Sequence, residues 1–227
     1  IYNNGIITEI TNSTFSGNSA DDNGGGIWNS GDLNITGSTI ISNETNISGA
    51  GIWNSGDLMI NNSAILNNEA FLGNPSSTGG GIFHLSNVLT IINSTLSGNS
   101  ATVDGGGIRT GDSPETSFIL IVNSTITKNT ANVDGGGIKI GSGTSNRSIQ
   151  NSLIVNNTAP TDSNCASFAA ITDLGNNISD NNTDDCAFAF NASWNNATML
   201  APLQDNGGGT FTHALIATMS PANPAID

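Results

Sequence analysis

Apolar and polar residues alternate in short runs along the first three quarters of the chain. Leu33-Asn34-Ile35-Thr36 is one such run, and its period of two predicts a half-buried strand. Turn residues follow every few positions, too often for a helix. The apolar positions also recur at long range. Ile10, Ile35, Ile60, Ile91, Ile121 and Ile149 form an unbroken isoleucine column. Five residues after each come Phe15, Ile40, Ile65, Leu96, Ile126 and Ile154. Three residues later comes an asparagine every time: Asn18, Asn43, Asn68, Asn99, Asn129 and Asn157, spaced 25, 25, 31, 30 and 28 apart. A small residue follows two positions on: Ala20, Thr45, Ala70, Ala101, Ala131 and Ala159.

A second anchor, Gly-(Gly/Ala)-Gly-Ile, ends at Ile27, Ile52, Ile82, Ile108 and Ile138. Each of these isoleucines lies nine residues after its asparagine, except Ile82, which lies fourteen after. The extra residues fall in one stretch around Phe71 to Thr78, which contains Pro75. Insertions confined to one loop while the columns keep register predict a solenoid. A coil of about 25 residues holds three short strands, each pairing with its equivalent in the next coil roughly 4.8 Å away. Parallel strands joined by crossovers favour right-handed winding. The fold class expected is therefore all-β: a right-handed parallel β-helix of about six to seven coils with a non-repetitive C-terminal tail. Stacked inward isoleucines contribute on the order of 1.5–3 kcal/mol each. Asparagine tolerates the corner conformation and bonds neighbouring backbone, and stacked asparagines bond one another along the axis. The six asparagines are read as a structural ladder.

The coils span residues 1–160. Residues 161–186 read as a degenerate last coil or cap, and 187–227, with Trp194, Phe211 and His213, as a tail packed on the solenoid. Ile1-Tyr2-Asn3-Asn4-Gly5 matches Ile27-Trp28-Asn29-Ser30-Gly31 without a preceding glycine triplet, so the first coil is expected to be open at its N-terminal edge. The chain begins at Ile1 rather than Met and reads as a processed product or a fragment.

One outward column changes the functional picture. The residue after each anchoring isoleucine should face out, and that column reads Tyr2, Trp28, Trp53, Phe83, Arg109 and Lys139. It is a candidate carbohydrate-binding stripe, with rings stacking on sugars and cations meeting acidic groups. The alternative is that it packs under the tail or against a neighbouring chain. The composition narrows the partners further. The net charge is −14 with four Lys and Arg in all, which argues against nucleic acid and against an anionic membrane surface. No apolar run approaches the length of a membrane helix, and no signal peptide is present. Two cysteines, Cys165 and Cys186, read as one disulfide closing a short C-terminal loop, hence an oxidising compartment; two free thiols are the other reading. Asn-x-Ser/Thr sequons are dense: Asn12, Asn34, Asn43, Asn46, Asn61, Asn93, Asn123, Asn146, Asn156, Asn177, Asn181, Asn191 and Asn196. Many follow from the Asn-Ser-Thr of the repeat.

The Gly-Gly-Gly-Ile motif with Phe15-Ser16-Gly17-Asn18 resembles the repeat of the polymorphic outer membrane proteins, a GGA-aliphatic motif paired with FxxN. Only the first coil keeps Phe; the others carry Ile or Leu. The C-terminal part resembles secreted bacterial β-helix proteins with a choice-of-anchor domain. The matching stretches are Cys165 through Asp173-Leu174-Gly175-Asn176-Asn177 to Cys186, Pro202-Leu203-Gln204-Asp205-Asn206-Gly207-Gly208, Thr212-His213-Ala214-Leu215 and Pro224-Ala225-Ile226-Asp227. The resemblance implies a right-handed β-helix exported to the cell surface. It implies no specific activity.

β-Helices also carry polysaccharide lyases and glycosidases, so an enzyme is an alternative. Asp32 and Asp57, and Asp104 and Asp134, are expected to stack in turns. Arg109 and Lys139 near Asp112 are a thin basis for a lyase. The Asp180 to Asp185 stretch has the oxygen ligands of a Ca²⁺ site but no defined ligand spacing, so no metal or cofactor is expected. His84 and His213 are read as structural, since no Ser or Cys partners either at readable spacing. The expectation is a non-catalytic extracellular protein, adhesin-like or a subunit of a head-to-tail filament. Its partners are other copies of itself or cell-surface and matrix glycans, without nucleic acid or membrane insertion. A carbohydrate-binding module and a polysaccharide lyase or glycoside hydrolase are the alternatives.

Overall fold

The computed structural model describes residues 1–71, 76–112, 117–180, 186, 188, 200–204, 210 and 212–215. Three parallel sheets of seven strands each run the length of a β-solenoid, with a shorter fourth sheet of five strands at one corner. The first sheet stacks Tyr2–Asn3, Ile27–Asn29, Ile52–Asn54, Ile82–His84, Ile108–Thr110, Ile138–Ile140 and Cys165–Ser167. The second runs from Glu9–Thr11 to Thr172–Asp173, and the third from Thr14–Ser16 to Ile178–Ser179. Register is strict: Ile10, Ile35, Ile60, Ile91, Ile121 and Ile149 are direct partners through the second sheet. These side chains and their counterparts from the other two sheets form one continuous buried core. Insertions are not confined to one loop: the stretch around Phe71 to Thr78 lengthens one coil ahead of Ile82–His84, whereas the 30 and 28 spacings gain their residues between the first-sheet and third-sheet strands. In the second sheet Leu33–Thr36 and Leu58–Asn61 give way to the longer Asn87–Ile92, Ser117–Val122 and Thr144–Gln150.

Each corner has its own chemistry. The turn from second to third sheet needs a left-handed residue in every coil: Asn12, Gly37, Asn62, Asn93, Asn123, Asn151 and Asn176 have φ of 46° to 60°. Asparagine and glycine pay least there. In the first six coils the next residue is a serine, and from Ser38 onward its hydroxyl accepts the backbone N–H of the serine one coil before; in the seventh it is Asn177, whose Oδ1 accepts from Ser152. That ladder runs from Ser13 through Ser38, Ser63, Ser94 and Ser124 to Ser152 at 3.1–3.2 Å. At the glycine corner, neighbouring coils come close enough to exclude side chains. A Cβ on Gly81 would sit 2.5 Å from the Gly107 carbonyl oxygen and 3.1 Å from the Asn99 side chain.

Residues 165–179 add a seventh strand to each of the three long sheets. Cys165 and Cys186 are joined as a disulfide, with Cα atoms 5.1 Å apart. Leu200–Gln204 and Thr212–Leu215 form an antiparallel hairpin. Leu200 packs on the outward-facing Leu153 and Val155 and on Ile178 of the third sheet. Phe188 is buried in the core; apart from it and Thr210, the rest of the expected tail, including Trp194 and Phe211, lies outside the described residues, as do Pro75 and residues 181–185.

Candidate functional surface

The asparagine ladder is present and bonded in one direction. Each Nδ2 donates to the Oδ1 of the next coil: Asn18 to Asn43 at 2.8 Å, Asn43 to Asn68, Asn68 to Asn99 and Asn99 to Asn129 at 2.9 Å, and Asn129 to Asn157 at 3.0 Å. The same Oδ1 also accepts a backbone N–H from the coil before it. From Asn43 onward, the second Nδ2 proton goes to a carbonyl of the preceding coil's third-sheet strand. Two donors and two acceptor sites are thus filled on each buried rung, the condition under which a buried amide is stabilising. The ladder has a seventh rung, Asn164, which accepts from Asn157 at 3.0 Å and donates to Ser179 and Asp180. A carboxylate thus meets the donor end of the series.

A second amide ladder runs up the first sheet. Asn3 donates to Asn29 and Asn29 to Asn54, both at 2.6 Å, and Asn54 Nδ2 meets His84 Nδ1 at 3.0 Å. Nδ1 therefore accepts and Nε2–H donates to the Asn87 carbonyl at 3.2 Å, which makes His84 the neutral Nε2–H tautomer. Burial pushes its pKa down to about 4, against the opposing effects of the Asn87 carbonyl and the Asp57 charge.

The outward column Tyr2, Trp28, Trp53, Phe83, Arg109 and Lys139 is a single register line. Its members differ in what they offer. Tyr2 stacks on Trp28 with ring centroids 4.3 Å apart, and Trp28 on Trp53 at 5.0 Å, with interplanar angles of 9° and 7°. The coil spacing matches the stacking distance of aromatic rings, so the faces of Trp28 that were expected to meet sugars meet Tyr2 and Trp53. Trp28, Trp53 and Phe83 are half-buried, and Tyr2 is 72% exposed.

The two cations turn inward to their own corner. Arg109 is buried, bonded to Asp112 and the Thr110 carbonyl, with Nε 3.9 Å from Asp104. Lys139 is paired with Asp134 and lies 5.2 Å from the Phe168 ring centroid. Asp104 and Asp134 are bridge partners on adjacent coils. Burial raises the Asp104 pKa, with Arg109 and Lys139 opposing and Asp134 and Asp112 adding to the rise. The acidic groups expected to meet these cations from outside are supplied by the chain itself.

His213 has a serine partner that sequence spacing concealed. Its Nε2 lies 2.9 Å from Ser97 Oγ on the third sheet, and its Nδ1 2.7 Å from the Ala201 carbonyl. Nδ1 is therefore the donor, and Ser97 donates to Nε2. Burial lowers the His213 pKa; the Ala201 carbonyl raises it and Lys128 lowers it further. The pair pins the C-terminal hairpin to the solenoid. Of the acidic stretch expected to suit Ca²⁺, only Asp180 is described, and it bonds Asn164 and the Asn156 backbone.

Residues 12–30 and 93–111 match the Chlamydia polymorphic membrane protein repeat. Each matched stretch runs from the left-handed asparagine through a third-sheet strand, a ladder asparagine and the glycine corner into a first-sheet strand. No curated protein and no solved structure gave a match. The chain is a β-solenoid repeat protein that resembles this family.

Proposed function

We propose that the chain is a non-catalytic extracellular surface solenoid, adhesin-like or a subunit of a head-to-tail filament. The supporting observation is the coil-to-coil pairing. Each coil joins the next through three long parallel sheets and through asparagine bonds that all run in one direction. The donor side of one coil is thus complementary to the acceptor side of another, and a heterologous contact of that kind that does not close gives a fibre. The similarity to a polymorphic membrane protein repeat agrees with a cell-surface location. The histidines and cations of the candidate surface are held by partners within the chain, as suits a scaffold.

Negative-stain electron microscopy of the isolated chain tests the filament. Uniform filaments with an axial repeat of about seven coils, near 34 Å at roughly 4.8 Å per coil, and lost on deletion of residues 1–7, are the expected result. Filaments unchanged by that deletion would remove the first coil from the contact. Short separate rods would leave a monomeric surface module. Release of reducing or unsaturated ends from an acidic polysaccharide would overturn the non-catalytic reading.

A further inference from the structure

The sequons divide by environment. Asn43 and Asn177 are buried with their amides in hydrogen bonds. Asn12, Asn34, Asn93, Asn123 and Asn146 are exposed, and all five lie on the second sheet or its corner with the third. The fold itself explains three of them: Asn12, Asn93 and Asn123 occupy the left-handed corner, followed by the ladder serines. It does not explain Asn34 and Asn146. These sit mid-strand on the outward face, where asparagine is disfavoured, and each has its hydroxyl residue two positions on, Thr36 and Ser148.

The same face exposes large apolar side chains. Met59, Val88 and Phe118 are 43%, 39% and 41% exposed. Asn34 is the register partner of Met59, and Asn146 of Phe118. One rung, roughly 4.8 Å, separates each pair. The Ser148 hydroxyl donates to Asn146 Oδ1 at 2.9 Å, leaving Nδ2 pointing away from that bond.

We propose that Asn34 and Asn146 carry N-linked glycans that lie over Met59 and Phe118 and cover the outer face of the second sheet. The donor class is an oligosaccharide on a polyprenyl diphosphate or phosphate. The Asn Nδ2–C1 bond forms as the C1–O bond to phosphate breaks. The amide loses one proton and the lipid phosphate leaves. The attached sugars shield the apolar strip from other copies, while the first-sheet stripe, which has no sequon, stays bare for contact. The inference rests on the extracellular reading, because such transfer takes place during export.

The test is glycopeptide mass spectrometry on the protein recovered from its own source, with surface and cytoplasmic fractions kept apart. Glycan-sized mass increments on the peptides containing Asn34 and Asn146, with Asn43 and Asn177 bare, are expected. Bare Asn34 and Asn146 in surface-recovered protein would overturn the glycan while leaving the surface reading intact. Protein found only in the cytoplasmic fraction would overturn both. As a second readout, N34Q/N146Q should bind a hydrophobic dye several-fold more strongly than the glycosylated chain; equal binding would show that no sugar covers the strip.

Discussion

His84 stands in the first-sheet ladder where three earlier coils carry Asn3, Asn29 and Asn54, and replacing it by asparagine isolates its contribution to acid sensitivity. The native state holds the ring neutral, with a pKa of about 4 against an ordinary value of 6.5. The unfolded chain therefore binds the extra proton first as pH falls. Stability is fully present above about pH 6.5 and is lost as pH drops towards 4, at about 1.4 kcal/mol per pH unit. Over the gap of about 2.5 units the loss is about 3 kcal/mol. His84→Asn removes this titration while leaving an acceptor for Asn54 and a donor for the following turn. Urea unfolding of both proteins, followed by tryptophan fluorescence from pH 7 to pH 4, gives the difference directly. The carboxylates titrate in both and cancel. The stability advantage of His84→Asn should grow by about 3 kcal/mol across that range. Parallel pH curves for the two proteins, or an NMR titration placing the His84 pKa at 6 or above, would refute the reasoning.

Further expectations follow from the same contacts. Asn99→Ala strips partners from the Asn68 amide, the Asn129 Oδ1 and the Ile65 carbonyl; buried polar groups left unpaired cost on the order of 1–3 kcal/mol each, so the denaturation midpoint should fall sharply. Gly81→Ala places a methyl 2.5 Å from the Gly107 carbonyl oxygen and should lower the melting temperature more than Gly5→Ala, which meets the backbone strain of a φ of 106° but no atom within 4 Å. Cys165→Ala with Cys186→Ala opens a loop of sequence separation 21, worth about 3 kcal/mol by loop-closure entropy; hydrogen exchange should speed up in residues 165–179 and stay unchanged in the first coils. Docking of the hairpin through His213 should weaken as pH falls below 6.5, because its pKa is lowered in the docked state; limited proteolysis between residues 200 and 215 should quicken at pH 5, and His213→Ala should be cut readily at pH 7. Trp53→Ala should abolish any exciton couplet that the stacked Trp28–Trp53 pair gives in circular dichroism.

The solenoid and its first ladder were legible because the rungs repeat three independent signals: an isoleucine eight residues before, a second apolar residue three before and, for all but Asn157, a glycine corner after. Asn164 escaped because it lies only seven residues after Asn157, across a short loop rather than a full coil. The second ladder is half visible: Asn29, Asn54 and His84 each lie two residues after an anchoring isoleucine, but a ring nitrogen continuing an amide series does not look like a repeat. The stripe was placed on the right line. What spacing did not reveal was how the side chains use it. Stacked rings consume each other's faces, and the glycine turn brings Asp134 back to Lys139 five residues later. Ser97 and His213 are 116 residues apart, and His213 lies in the tail without periodicity, where no pattern reports contact.

The coil-to-coil hydrogen bonds, backbone and amide alike, join each coil to the next along the solenoid axis. Tension applied along that axis loads these bonds end on, so they part in sequence, in an unzipping mode, rather than all at once in shear. Each released coil of about 25 residues yields up to ~85 Å of slack at ~3.4 Å per residue, many times its ~4.8 Å folded rise. Held at its two ends, the rod is an extensible tether that gives way in discrete steps and limits the peak force on whatever it joins.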